Sequence, residues 1–229
     1  MLPKVLVGGP TSHHFMYCVD EYIQALKSLS YDSYDILLVD NSKDDDYFNY
    51  IKDKVPAIKL STYYENPRAR VAESKNLIRK KVLKEKYDFF LNIDTDTIPP
   101  LDIIERFLSH DKQAITGVYY KIFDVTIKNS GITKKIIMPL LYDKVGDPPR
   151  IRQLSAQEVE QPKLIKVGAC GSGCFMVSKD ILEKIKFKHT EKAYDDVLMC
   201  DDIQELGHDI FCDTSVKCKH LILKKKKIE

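Results

Sequence analysis

Short, mostly apolar runs recur along the first 120 residues of the chain, and such runs are typical of buried strands. Between them, apolar residues recur at intervals of three or four, which is typical of helices that pack on one face. The predicted strands are residues 4–9, 34–39, 57–62, 89–93 and 114–120. The predicted helices are residues 15–29, 44–54 and 68–86, and a further helix starts at Pro99-Pro100.

This alternation of strands and helices predicts an α/β fold with a mostly parallel, doubly wound sheet. Connections between the strands of such sheets are right-handed, and ligands bind outside the carboxyl ends of the strands. The fold class therefore also predicts the edge of the sheet at which a binding site would lie.

The pattern after residue 120 is less regular. Residues 122–127 and 134–141 predict paired strands around a turn at 129–131, and residues 143–163 predict a polar loop. A strand at 174–177 leads into a helix capped by Ser178, and a helix at 197–206 ends at Gly207. Short strands at 210–212 and 216–218 follow. We expect one domain over residues 1–229.

The composition is that of an ordinary globular domain, with 229 residues, 44% hydrophobic and 31% charged. The net charge of +2 argues against a nucleic-acid partner. No run of 18 apolar residues occurs, and the N-terminus lacks the pattern of a signal peptide. The six cysteines lack the usual zinc spacings, so we expect reduced thiols and a cytoplasmic protein.

The chain ends in a basic run, Lys224-Lys225-Lys226-Lys227. Such a run is usually a solvated tail. Alternatively it contacts an anionic membrane surface, where each lysine contributes roughly 1 kcal/mol. The second interpretation predicts peripheral membrane contact for a cytoplasmic protein.

Polar residues follow three of the predicted strands at their carboxyl ends. Pro10-Thr11 comes after the first strand, Asp40-Asn41 after the second and Asp94-Thr95-Asp96 after the fourth. Because the carboxyl ends of parallel strands meet at one edge of a sheet, we expect these groups to line one ligand site.

Asp94 and Asp96 are the candidate metal ligands of this site. Two aspartates at positions i and i+2 after a buried strand point the same way from the sheet edge. Hard oxygen ligands suit Mg²⁺ or Mn²⁺, which take one or two carboxylates and complete their coordination with water and substrate phosphates. The alternative is that both aspartates serve only as turn and helix-capping residues before Pro99-Pro100.

These motifs together resemble the GT-A glycosyltransferases, in particular the family 2-like enzymes, over roughly residues 4–221. Residues 7–11 resemble the family's nucleotide loop. Asp40 resembles the aspartate that contacts the base or ribose, and Lys75 stands where the family commonly has arginine. Asp94-Thr95-Asp96 matches the DxD motif. The resemblance implies that Asp96 binds the metal directly and that Asp94 contacts the ribose or a metal-bound water.

The second half of the chain carries a further resemblance. Asp195-Asp196, followed by a helix and Gly207, is similar to the family's Glu-Asp element, with Asp195 in place of the glutamate. In inverting members the second acid is the general base, so the resemblance implies that Asp196 deprotonates the acceptor hydroxyl. His220 resembles the third metal ligand of many GT-A enzymes. The segment 171–173 resembles the glycine-bearing segment that lets a sugar approach the backbone.

The resemblance implies a metal-dependent glycosyltransferase that uses Mn²⁺ or Mg²⁺ and a UDP- or GDP-sugar. The acceptor would be a hydroxyl group of a glycan, lipid or protein. Residues up to about 120 would form the nucleotide-binding half, residues to about 221 the acceptor and catalytic half, and 222–229 the basic tail. Arg150 and Arg152, in the predicted loop 143–163, are candidates to neutralise the diphosphate.

Three alternatives stay open at the level of sequence. Residues 94–97 also resemble the DxDxT motif of haloacid dehalogenase-type phosphohydrolases, with Asp94 as nucleophile and Asp201-Asp202 as the later acidic pair. That motif usually lies near the start of its domain, whereas here about three strands precede it. A nucleotidyltransferase would need a glycine-rich first loop with a basic residue and a following lysine, which residues 7–14 lack. A non-catalytic carbohydrate-binding domain would not need both acidic pairs.

Overall fold

An eight-stranded sheet runs through the protein, with helices on both faces. The computed structural model describes residues 2–126, 132–146, 150–191 and 193–221. The first half of the chain contains β1 (Val5–Thr11), α1 (Val19–Lys27), β2 (Tyr34–Asp40), α2 (Asp46–Ile51), β3 (Ala57–Lys59), α3 (Pro67–Lys84), β4 (Phe89–Ile93), β5 (Thr97–Ile98), α4 (Ile103–Ser109) and β6 (Ala114–Val118). The second half contains β7 (Tyr120–Thr126), β8 (Thr133–Pro139), β9 (Leu141–Val145), β10 (Arg150–Gln153), β11 (Leu164–Val167), β12 (Ala169–Cys170), β13 (Cys174–Ser178), α5 (Lys179–Lys184), α6 (Asp195–Glu205), β14 (Ile210–Lys217) and β15 (Lys219–His220).

The order of the large sheet is β11-β14-β6-β13-β4-β1-β2-β3. Neighbours from β3 to β4 are parallel, β13 is antiparallel to both β4 and β6, and β14 is again parallel to β6. The mostly parallel α/β sheet that the sequence predicts is therefore confirmed. The sheet includes strands from both predicted halves of the chain.

Two apolar clusters cover the two faces of this sheet. One contains Ile78 and Val82 of α3, together with buried residues of α5 and α6. The other contains Tyr22 of α1, Ile51 of α2 and Phe107 of α4. The helical spacing read from the sequence identifies Tyr22, Ile78, Val82 and Phe107, because each of these helices buries a single face.

Two predicted segments differ in the structure. The predicted strands 210–212 and 216–218 form one strand, β14, which the polar stretch 213–215 does not interrupt. The Thr214 hydroxyl donates a hydrogen bond to the carbonyl of Lys163 at 3.0 Å, and Asp213 Oδ2 lies 2.9 Å from His110 Nε2. Residues 143–163 are not a continuous loop. Instead, β10 pairs antiparallel with β9. Arg152 lies opposite Asp143 in this pairing, and a guanidinium nitrogen of Arg152 is 3.5 Å from Asp143 Oδ2.

The predicted helix at 15–29 is shorter in the structure, because a turn of 3₁₀ helix at His13–Phe15 precedes α1. The predicted pair of strands after residue 120 is confirmed as the hairpin of β7 and β8, while its turn at 129–131 lies outside the described residues. The basic run at 224–227 also lies outside them. None of the described helices is both long and apolar enough to cross a bilayer.

Candidate functional site

The carboxyl ends of β1, β2 and β4 meet at one edge of the sheet, as the sequence predicts. Thr11 at the end of β1 lies opposite Asp40 at the end of β2. Beyond β4, the backbone N–H of Asp94 donates to the carbonyl of Gly173 at 3.0 Å, which ties the acidic turn to the segment before β13. The polar residues of the three strand ends are thereby brought to one edge.

A cavity of about 470 Å³ opens at this edge, and we call it the strand-end cavity. Part of its wall consists of residues that the sequence assigns to the site. They are Pro10, Thr11, Asn41, Lys75, Asp94, Thr95, Asp195 and Asp196.

A second cavity of about 710 Å³ lies beside the first, against the hairpin of β7 and β8, and we call it the hairpin cavity. Asp94 and Asp196 line both cavities, as does the exposed ring of Tyr194. Asp96 and His220 line the hairpin cavity alone. The two cavities therefore meet at a wall that carries two carboxylates.

The carboxyl group of Asp94 is half-buried at the wall that the two cavities share. Burial raises its pKa to about 6, against the opposing effect of the Lys75 ammonium and with a further upward contribution from Asp96. Asn92 donates a hydrogen bond to Asp94 Oδ1 at 3.1 Å. A partly desolvated carboxylate is stabilised most effectively by a cation or by proton donors.

His220 and Asp96 lie together because β15 pairs with β5. This small sheet places His220 opposite Thr97, and the Leu221 N–H donates to the Asp96 carbonyl at 2.7 Å. The Nε2 atom of His220 lies 3.1 Å from Asp96 Oδ2, and Nδ1 lies 2.8 Å from the carbonyl oxygen of Tyr120. Burial opposes charge on the imidazole, but the Asp96 carboxylate outweighs it and raises the pKa of His220.

Among the described residues, no group of three or more His, Cys, Asp or Glu side chains is arranged to hold a metal ion. Asp96 and His220 nevertheless form a pair of donors of the kinds that bind divalent cations, and Asp94 lines the same cavity. Mg²⁺ and Mn²⁺ commonly take one or two carboxylates and complete their coordination with substrate phosphates and water. An imidazole whose second nitrogen contacts a backbone carbonyl is oriented for such a role.

Lys75 forms a buried ion pair with Asp195 in the wall of the strand-end cavity. Its Nζ lies 2.5 Å from Asp195 Oδ2 and 2.7 Å from Ser172 Oγ, and the lysine and aspartate side chains are both buried. Burial opposes the charge of Lys75, but Asp195 and then Asp94 outweigh it and raise its pKa. Asp195 is thus occupied by a protein partner.

Asp196 follows in the first turn of α6 and remains partly exposed to both cavities. Burial raises the pKa of its carboxyl group, Lys75 lowers it, and Asp195 raises it further. Its Oδ1 accepts the N–H of Val197 at 2.8 Å. A partly buried carboxylate with a raised pKa at the junction of two cavities is suited to accept a proton.

Other residues from the sequence analysis lie away from the cavities. Asp40 is buried, accepts a hydrogen bond from Ser42 Oγ at 2.6 Å and pairs with Lys59 at 2.9 Å, and it does not line the strand-end cavity. Arg152 pairs with Glu158 at 2.9 Å. Neither Arg152 nor Arg150 lines either cavity.

Sequence reasoning missed Asn92 and Tyr194. Asn92 lies inside β4, where it reads as an interruption of an apolar run, yet its amide joins Asp94 to the carbonyl of Ser172 at 2.6 Å. Tyr194 precedes the acidic pair of α6, and its ring packs on Arg68 with the guanidinium carbon 4.3 Å from the ring centroid. A polar residue within a buried strand is the signal that could have identified Asn92.

At the level of sequence, no protein-family profile and no curated protein matches the chain. In structure, it resembles A197 from STIV with a TM-score of 0.53 at 14% identity, over 96% of this chain and 87% of that one.

It also resembles S. aureus TarS 1-349, with a TM-score of 0.55 at 14% identity over 94% of this chain, and TarS 1-349 in complex with UDP-GlcNAc, with a TM-score of 0.51 at 14% identity over 87% of this chain. The chain spans 59% and 52% of those two TarS chains. These likenesses show that the chain has a GT-A-like α/β fold.

Proposed function

We propose that the protein is a metal-dependent glycosyltransferase that moves a sugar from a nucleotide-sugar donor to a hydroxyl acceptor with inversion. The observation that carries the proposal is the wall shared by the two cavities, where Asp94 and Asp196 face both. A transferase needs a donor and an acceptor to meet at one point, and a base must lie at that point.

The nucleotide diphosphate of the donor would occupy the strand-end cavity. Pro10, Thr11 and Asn41 line it where the resemblance implies a nucleotide loop. The crystal structure of S. aureus TarS 1-349 in complex with UDP-GlcNAc supports UDP-sugars as the first donors to test. Asp40 would support this wall from behind, because its neighbour Asn41 lines the cavity and Asp40 itself does not.

Asp96 and His220, with Asp94 beside them, would hold Mn²⁺ or Mg²⁺. When bound, the metal neutralises the charge that develops on the leaving diphosphate. Asp94, Asp96 and His220 line the same cavity, and two neighbouring carboxylates favour a positive partner, which supports this assignment.

Asp196 would remove the proton from the acceptor hydroxyl as that oxygen attacks the anomeric carbon. Its raised pKa makes it a stronger base than an ordinary aspartate. Asp195 would act as a positioning residue, because its ion pair with Lys75 connects the start of α6 to α3.

The first experiment is a thermal-shift panel of UDP, GDP and their sugars, each with and without Mn²⁺. The proposal predicts a metal-dependent stabilisation by one nucleotide, since a ligand that binds only the folded state stabilises it by mass action. Absence of any nucleotide shift, together with hydrolysis of p-nitrophenyl phosphate, would favour the phosphohydrolase alternative. The structural neighbours described above give that alternative no support.

A further inference from the structure

The hairpin cavity is lined mainly by apolar and aromatic side chains away from its carboxylates. Tyr119, Leu140 and Tyr142 form part of this wall, and Phe123 of β7 and Ile151 of β10 extend it outward. A sugar can stack on the aromatic rings, but it would leave the aliphatic side chains of Leu140 and Ile151 without a matching partner.

The apolar wall continues outside the cavity along one face of the hairpin. Side chains alternate across a strand, so Lys121, Phe123 and Val125 of β7 share a face. Their cross-strand partners on β8 are Met138, Ile136 and Lys134. Lys121 and Phe123 line the cavity, which identifies this face as the one that continues it.

We name as the hairpin strip the apolar residues of this face: Phe123, Val125, Ile136 and Met138. Val125 is 41% exposed and Ile136 is 40% exposed, and Ile151 across the cavity mouth is 56% exposed. Lys121 lies beside the strip with its Nζ 6.0 Å from the centre of the Phe123 ring. The exposed apolar residues therefore form a path that leads into the cavity.

We infer that the acceptor is an amphiphile, with its hydroxyl at Asp196 and an apolar chain along the hairpin strip. This inference rests on the proposed function and names the acceptor class for the same site. The continuity of the strip with the cavity that holds Asp196 argues for the chain of a bound substrate. If the strip were a separate docking surface, its residues would not need to lie on the same face of the hairpin as the residues that line the cavity.

The chain offers a matched control. Ile137 is adjacent to Ile136, is 59% exposed and lies on the opposite face of the hairpin, opposite Ile122. Ile136→Ser removes apolar surface from the strip, whereas Ile137→Ser removes it from the other face. Both side chains are exposed, so both variants are expected to fold.

The experiment measures binding of n-alkyl β-D-glucosides from methyl to octyl, below their micelle concentrations, by calorimetry without donor. Affinity for the wild type should rise by up to about 3- to 4-fold for each methylene that the strip buries. Ile136→Ser and Val125→Ser should flatten this dependence, and Ile137→Ser should leave it unchanged.

An affinity that is independent of chain length would overturn the inference. Ile136→Ser and Ile137→Ser variants that reduce the chain-length dependence equally would also overturn it. Binding to phosphatidylserine vesicles that Ile136→Ser weakens, without any chain-length dependence for the glucosides, would also overturn it in favour of membrane docking. The nucleotide thermal shift separates the two proposals. Chain-length dependence without a nucleotide shift contradicts the proposed function, and the reverse result contradicts only the acceptor class.

Discussion

The ammonium group of Lys75 on α3 lies 2.5 Å from the carboxylate of Asp195 on α6, and both side chains are almost completely removed from solvent. The two residues are 120 positions apart in sequence. Asp196, the proposed base, is the next residue after Asp195. The position of the proposed base therefore depends on a buried ion pair between two helices that are far apart in sequence.

Removing one partner of this pair should be costly. Lys75→Met leaves the Asp195 carboxylate buried without its cation, and we expect the free energy of unfolding to fall by about 3–5 kcal/mol. Lys166→Met breaks an exposed ion pair with Asp209 and should change the free energy of unfolding by less than about 1 kcal/mol. Urea denaturation measures both values. Equal effects of the two variants would contradict a structural role for the Lys75–Asp195 pair.

The same pair should control the pH dependence of transfer. Asp196 acts as a base only when it is ionised, and burial raises its pKa above the ordinary 3.8, with Lys75 lowering it and Asp195 raising it. The acid limb of the rate profile should therefore lie above that value. Loss of the cation in Lys75→Met should move this limb to higher pH, and loss of the like charge in Asp195→Asn should move it to lower pH. Shifts in the same direction would contradict the account.

Tyr119 and the glycines beside it form a tight contact at the wall of the hairpin cavity. A Cβ atom at Gly171 would overlap the Tyr119 hydroxyl, which accepts a hydrogen bond from the Gly173 N–H at 3.1 Å. Gly171→Ala should lower the free energy of unfolding by about 1–3 kcal/mol. Adding Tyr119→Phe should recover part of this loss, because it removes the overlapping oxygen. Strictly additive effects in urea denaturation would show that the overlap is relieved elsewhere.

Asp96 and His220 should determine the metal dependence of nucleotide binding. Asp96→Ala and His220→Ala should each weaken Mn²⁺-dependent binding of UDP by at least about 10-fold. His110→Ala, which loses a pair with Asp213 away from both cavities, should not. Isothermal titration at fixed Mn²⁺ measures the change. Wild-type metal dependence in Asp96→Ala would exclude Asp96 as a ligand.

Much of the fold follows from local patterns in the sequence. The strands β1, β2 and β4 are predicted because each is a mostly apolar run that ends at polar residues, and such runs belong in the middle of a sheet. The prediction fails at β14 because its buried polar residues find partners that are distant in sequence, namely Lys163 and His110. Propensity alone does not contain those contacts.

The candidate site is predicted in part for the same reason. Strand ends are local features, so the convergence of Thr11, Asn41 and Asp94 on one cavity could be expected. The pairing of His220 with Thr97 involves strands of only two residues, which periodicity does not detect. The pairing of Lys75 with Asp195 requires the positions of two helices, which depend on the packing of the whole sheet.

The most direct test of the central claim compares Asp196→Asn with Asp201→Asn, a change on the same helix at a residue that pairs with Lys144 near the surface. Both variants are assayed for hydrolysis of the nucleotide sugar that stabilises the wild type, and for nucleotide binding by thermal shift. We expect Asp196→Asn to reduce hydrolysis by at least about 100-fold with the nucleotide shift unchanged, and Asp201→Asn to retain both. Hydrolysis at the wild-type rate in Asp196→Asn would contradict the proposed catalytic base. Loss of hydrolysis in Asp201→Asn but not in Asp196→Asn would contradict it as well.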